Sequence, residues 1–200
     1  MYDMSRTKTW GMFDKLDENA RYALKEQPNH QRTEDFKNGT PAKAPPANPD
    51  QLTGSGPQFA KDFHAYYKSK RGFHVRSICS NGNWTLTSSL AFMNFPILTF
   101  ISEIRNPVQM IHGDKAHSLY FSQDAFKQLK CNNNELYLVK DAVHTDLYDN
   151  LEKIPFDKIE SFFKGKSEIN SHLFPLKKVR PETSGSGPHA FICPPFFSDI

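Results

Sequence analysis

The chain of 200 residues is long enough to bury one sizeable core, and its 38% hydrophobic and 24% charged residues are ordinary for a globular protein, with 17 phenylalanines and 14 prolines standing out. A formal net charge of +3 is too small to imply a nucleic-acid partner, and the basic cluster Lys177, Lys178 and Arg180 reads as a solvated tail. Cys79, Cys131 and Cys193 are widely spaced with no Cys-x-x-Cys pair, which favours reduced thiols over a disulfide framework or a zinc site.

The most apolar window, Leu90 to Ile101, is too short to span a bilayer and is interrupted by Asn94, Pro96 and Thr99, so no transmembrane helix and no membrane partner are expected. Met1 to Arg6 lacks the basic-then-apolar pattern of a secretory signal, and a cytoplasmic location is the default expectation.

In chain order, residues 1–13 show no clear period. Leu16, Ala20, Ala23, Leu24 and Phe36 then recur at helical steps, predicting a helix over Asp17 to Asn38 that Pro28 divides into two pieces and Asn38-Gly39 ends. Residues 40–57, rich in Pro, Ala, Gly, Asn and Ser, read as a flexible surface loop. Helical character returns over Pro57 to Lys70, with Phe59, Phe63, Tyr66 and Tyr67 on one broad face, and Arg71-Gly72 breaks it. Trp84 to Phe95 is a further apolar helix candidate, started by Thr85 or Thr87. Residues 10–105 thus read as short amphipathic helices with no convincing strand.

Residues 107–149 carry a different pattern. Val108 to Ile111 is a short apolar run closing on Gly113, and Leu136 to Val139 is a second closing near Ala142. Each predicts a buried strand feeding a loop. Between them Tyr120, Phe121, Ala125, Phe126 and Leu129 predict a helix capped by Ser118 or Ser122. The result is one β-α-β unit whose strand-end loops hold Asp114 and His144, an arrangement in which an acid orients a histidine base. Asp114 reads equally as a loop residue bonding nearby amides. His112 and His117 flank the same loop, but no third residue at suitable spacing makes them metal ligands. Ile154 to Phe163 predicts a last amphipathic helix, and residues 165–200, with Ser-Gly-Ser-Gly-Pro, read as a disordered or unrelated tail.

Several segments together carry a family resemblance: Tyr2-Asp3-Met4-Ser5-Arg6, Gln31-Arg32-Thr33-Glu34-Asp35, Lys70-Arg71-Gly72-Phe73-His74, Thr87-Ser88-Ser89-Leu90, Ile111-His112-Gly113-Asp114-Lys115-Ala116-His117-Ser118 and Ala142-Val143-His144-Thr145-Asp146-Leu147-Tyr148-Asp149. In this order they resemble the later part of a dienelactone-hydrolase-like α/β-hydrolase, from residue 2 to about Phe163. The resemblance implies the α/β class, with residues 1–106 as a helical cap-like region and 107–164 as the C-terminal part of the core sheet, its last two strands included. It implies an ester, lactone or similar acyl substrate, a catalytic role for His144, and no cofactor or metal.

Where related hydrolases place an aspartate three residues after the glycine of His-Gly, this sequence has Ala116. Asp114 is the nearest acid on the same loop. No Gly-x-Ser-x-Gly or Gly-x-Cys-x-Gly elbow occurs in the sequence, and the oxyanion loop that normally precedes it is missing. The expectation is therefore a hydrolase fragment, weakly active or inactive alone, whose unpaired strand edge invites self-association or pairing with a missing N-terminal half. The alternative expectation is a non-enzymatic binding protein that uses that edge and the cap.

Overall fold

The computed structural model describes residues 2–52, 54 and 56–173, with side chains as far as residue 165. Its first element, helix α1 (Met4–Trp10), lies where the sequence predicts none. The helix rests on its cap and not on an apolar repeat. The Asp3 carboxylate accepts the Arg6 amide at 2.9 Å, satisfying a first-turn donor that a short helix cannot satisfy internally.

Helix α2 (Glu18–Asn38) begins with the Asp17 carboxylate accepting the Ala20 amide at 2.8 Å and ends at Gly39, whose φ of +67° is the left-handed closure that glycine takes without strain. It runs through Pro28 as one helix, not the two predicted pieces. Proline withholds one amide and crowds the carbonyls of the preceding turn. Here the Asn29 side chain donates to the Lys25 carbonyl at 2.9 Å and supports that turn from the side.

Residues 42–47 of the proline-rich loop lie against residues 82–86. The Leu86 amide donates to the Ala42 carbonyl at 2.9 Å and the Ala44 amide to the Trp84 carbonyl at 2.8 Å, around an antiparallel bridge between Lys43 and Thr85. Buried Asn48 donates to the Cys79 carbonyl at 2.7 Å. Helix α3 (Gln58–Tyr67) follows Pro57 as predicted. A single turn, α4 (Ile78–Asn81), precedes α5 (Ser88–Met93), which is shorter than predicted because Trp84 and Thr85 belong to the bridge.

Strand β1 (Gln109–Gly113), helix α6 (Leu119–Gln128) and strand β2 (Glu135–Val139) form the predicted β-α-β unit. The strands are parallel, in a register that places His112 beside Leu138 and Gly113 beside Val139. Among the described residues they pair only with each other. One turn, α7 (Asp146–Asp149), follows the β2 loop, and α8 (Phe156–Leu173) extends ten residues past the predicted end at Phe163. The remaining residues assigned to the tail, 174–200, lie outside those described.

Helices α1 and α2 pack on α5, α6 covers both strands, and α7 sits against β1. Arg6 joins the helical region to the β-α-β unit: it bonds Asp14, reaches Asp124 on α6 at 3.0 Å, and lies over the Tyr120 ring. The centre is small and half polar. Phe121, Ala125, Ala116 and Ala142 are buried beside Ser118, Ser122, His112 and Thr145. No helix of the described residues is long and apolar enough to cross a membrane.

Candidate functional site

The site begins where the two strands end. The Asp114 amide donates to the Val139 carbonyl at 3.0 Å and the Lys115 amide to the Ala142 carbonyl at 3.1 Å, so the loop after β1 is stapled to the loop after β2. This approach requires glycine at position 113. A Cβ there would sit 2.1 Å from the Ala142 carbonyl oxygen.

Beyond Ala142 the second loop is shaped by Asp146. Its carboxylate accepts the Val143 amide at 2.9 Å and pairs with Lys153 at 2.7 Å. Burial pushes the Asp146 carboxyl up, but Lys153 and the Val143 amide outweigh it and leave it below the usual range. Lys153 also donates to the Asp141 carbonyl at 2.8 Å, where φ is +54°, a left-handed turn that aspartate tolerates. Arg71 then clamps α7 from outside through a two-pronged pair with Asp149, at 2.9 and 2.8 Å.

His144 is thereby held at the carboxyl end of the last strand, with partners at both ring nitrogens. Nδ1 shares a hydrogen bond with the Ser118 hydroxyl at 2.8 Å, and Nε2 shares one with the Tyr148 hydroxyl at 2.8 Å. The Ser118 hydroxyl also meets His112 Nε2 at 3.2 Å, and His112 Nδ1 meets the Ser122 hydroxyl at 3.3 Å. On the other side, the Tyr67 ring meets that of Tyr148 at 6.4 Å between centroids. One polar chain therefore runs from Tyr148 through His144, Ser118 and His112 to Ser122.

Aromatic rings enclose it. Phe63 meets His144 edge-on at 5.4 Å between centroids, Tyr2 lies 6.3 Å away, and Phe59 stacks on His117 at 4.4 Å. These rings come from the predicted apolar face of α3 and from the segment just before α1. Burial among them holds His144 at a pKa of about 4, helped by the neighbouring His117. Burial likewise holds His112 at about 4 and pushes His117 down. At neutral pH both imidazoles of the chain are therefore uncharged, the form in which histidine accepts a proton. Burial raises the hydroxyls of Tyr148 and Tyr67 above the ordinary phenol value, so both remain protonated donors.

The structure brings His144 and the Asp114 loop together, but Asp114 is not the group at His144 Nδ1. Ser118 is. The Asp114 Oδ1 atom is buried with no hydrogen-bond partner, as is Nε2 of His117. Ser118 also departs from its expected capping role: it stands at the N-cap of α6 but makes no side-chain cap bond, because its hydroxyl is shared by two imidazoles. It is fully buried and so is not presented to a substrate as a nucleophile.

Sequence reasoning missed Ser118, His112 and Tyr148 as parts of the site. Tyr148 meets His144 across the turn that leads into α7, a contact outside the helical stretch and so without a helical spacing to signal it. Cys79 and Cys131 are free thiols, as expected, and burial raises the Cys79 thiol pKa. Cys193 lies outside the described residues.

No family model matches the chain. The chain is 46% identical over 164 residues to the uncharacterized protein PA2218 of Pseudomonas aeruginosa, a match covering 82% of this chain and 43% of the relative. The crystal structure of the hypothetical protein PA2218 superposes with a TM-score of 0.78 at 45% identity, over 82% of this chain and 51% of that one. This chain thus spans less than half the length of the curated relative. Two solved structures are similar in fold alone. DcsB in complex with its substrate analogue has a TM-score of 0.55 at 12% identity, over 75% of this chain and 52% of that one. The α/β hydrolase GrgF from Penicillium sp. sh18 has a TM-score of 0.54 at 20% identity, over 72% of this chain and 48% of that one. With its parallel β-α-β unit and these structural neighbours, the chain has an α/β-hydrolase-like fold.

Proposed function

We propose that this chain is the C-terminal portion of a dienelactone-hydrolase-like α/β-hydrolase and supplies its catalytic histidine, His144, toward an ester, lactone or other acyl substrate. One observation carries the reading: an uncharged imidazole at the carboxyl end of the last strand is gripped at both nitrogens inside an aromatic enclosure. In the intact site, Nε2 of His144 takes the proton of the attacking nucleophile and later returns it to the leaving oxygen. The nucleophile elbow and oxyanion loop belong to the complementary part of the protein.

Asp114 enters as the acid of the loop. Its position one residue after Gly113 and the unpartnered Oδ1 support that assignment. Because Ser118 holds Nδ1, Asp114 acts as a charge beside the site, and its loss costs less than the loss of His144.

The test is a chimera in which the matching portion of PA2218 is replaced by residues 2–165 of this chain, assayed on a panel of p-nitrophenyl esters beside its His144→Ala variant. Hydrolysis that His144→Ala abolishes is the expected result. A folded chimera equally active with and without His144 overturns the assignment.

A second reading, a binding protein, is favoured by a different observation. Tyr137 and Leu138 point to opposite faces of β2 and both are exposed, although parallel sheets are ordinarily covered on both faces. Concentration-dependent association of the full chain without esterase activity would support this reading over the first.

A further inference from the structure

The hydrogen-bond chain through Ser118 constrains where protons can sit. Ser118 has a single hydroxyl proton and lies between two ring nitrogens, Nδ1 of His144 and Nε2 of His112. With both rings uncharged, each carries one N–H. If Ser118 donates to one ring, it accepts from the other, and two arrangements satisfy these contacts. In the first, His144 Nδ1–H donates to Ser118, Ser118 donates to His112 Nε2, and His112 Nδ1–H donates to Ser122. In the second, every bond is reversed and His144 carries its proton on Nε2.

The far side of His144 selects between them. A phenol gives up its proton far more readily than a neutral imidazole N–H, so the stronger bond at Nε2 has Tyr148 donating to a bare nitrogen. All five groups then align in the first arrangement.

We propose that Ser118 and His112 are positioning residues that fix His144 as its Nδ1–H tautomer, doing with two neutral groups what the carboxylate of a catalytic triad does at that nitrogen. The consequence for catalysis rests on the reading of His144 as the base; the tautomer itself does not. With Nδ1 protonated, the Nε2 lone pair is the basic one, and it accepts the Tyr148 hydroxyl until an attacking group takes that place. When that nitrogen takes a proton, the Nδ1–H bond to Ser118 becomes a bond from a cation and strengthens. His112, 4% exposed, accepts the Ser118 proton at Nε2 and so leaves the Ser118 oxygen free to accept from His144 Nδ1.

The experiment is nitrogen-15 NMR of the histidine rings in the full chain at pH 7.5, with His144 assigned by its loss in His144→Gln. A free histidine favours the Nε2–H tautomer, so a His144 signal dominated by Nδ1–H is the expected departure. His112→Ala removes the acceptor of the Ser118 proton and should return His144 towards Nε2–H, changing the tautomer ratio by about tenfold, the size of one hydrogen bond. His112→Gln keeps an acceptor near the Nε2 position and should preserve Nδ1–H. A merely structural role for His112 predicts no such rescue in the tautomer ratio.

Nε2–H dominance in the unaltered chain overturns the proposal even if no variant folds. Retention of Nδ1–H in a folded His112→Ala overturns the part given to His112. An Nδ1–H result in a protein and chimera that hydrolyse nothing sinks the catalytic reading and leaves the relay standing.

Discussion

Three histidines whose protonation burial opposes, His112, His144 and His117, should make the fold acid-sensitive in a specific window. His112 and His144 ionise near pH 4 in the folded chain, against about 6.5 for a free side chain. Between those values the unfolded chain binds protons that the folded chain refuses, so stability falls as pH drops. Above pH 6.5 both states are neutral and the stability is fully present; below about 4 the loss is complete. Each histidine that resists protonation fully contributes about 1.4 kcal/mol per pH unit. For the buried His112, after allowance for partial solvent screening, the total across the window is about 2 kcal/mol. With a urea slope near 2 kcal/mol per M, that lowers the denaturation midpoint by about 1 M. The assay is urea unfolding of the full chain, followed by circular dichroism, from pH 7.5 to 4.5. His112→Gln should lessen the pH dependence without abolishing it, because the replacement does not titrate while His144 and His117 still do. A midpoint constant over this range, or a variant curve parallel to the original, would refute the reasoning. Paired carboxylates cannot mimic the effect: Asp146 and Asp149 sit below their usual range and lose their partners only at lower pH.

Other outcomes follow from single contacts. Gly113→Ala forces a Cβ to within 2.1 Å of the Ala142 carbonyl and should destabilise the chain by about 3 kcal/mol or more, read as a lowered thermal midpoint, because both loop staples must shift. Pro28→Ala should raise the thermal midpoint, since it restores an amide to α2 at a site where proline costs up to about 3 kcal/mol, less the packing lost at a buried position. In the active chimera, His144→Ala should lower kcat/KM by at least about a thousandfold and Asp114→Asn by about tenfold or less; equal losses would make Asp114 a full triad member.

The parts of the fold legible in sequence are those fixed by local patterns. The apolar runs closing at Gly113 and Ala142 mark both strands, and the spacing of Phe59, Phe63, Tyr66 and Tyr67 marks the α3 face that encloses the site. Local rules failed where a remote contact outweighed them. Pro28 is a helix breaker by rule, yet α2 continues through it, with Asn29 supporting the turn. Ser118 is an N-cap by rule, yet its hydroxyl is drawn away by His112, six residues back, and His144, 26 residues ahead. Forgoing a cap bond costs about 1 kcal/mol. A serine that forgoes it for two imidazoles reports a pairing that no single-segment pattern contains, because it exists only after β1 and β2 align in parallel.

That alignment also limits what any complementary segment has to contribute. Apart from the Tyr2 ring, the groups that set the orientation and protonation of His144 lie between Phe59 and Lys153: the tyrosine at Nε2, the serine at Nδ1, the second histidine behind it and the aromatic wall. The ring is held by the staples at Gly113 and by the clamp of Arg71 on Asp149, both within the same stretch. A neutral, oriented base is thus built from these residues alone. What hydrolysis would still require is an attacking group that displaces the Tyr148 hydroxyl at Nε2 and donors for a developing oxyanion, neither of which this constellation supplies. On that argument, restoring activity depends on placing a nucleophile against an existing base, not on rebuilding the base.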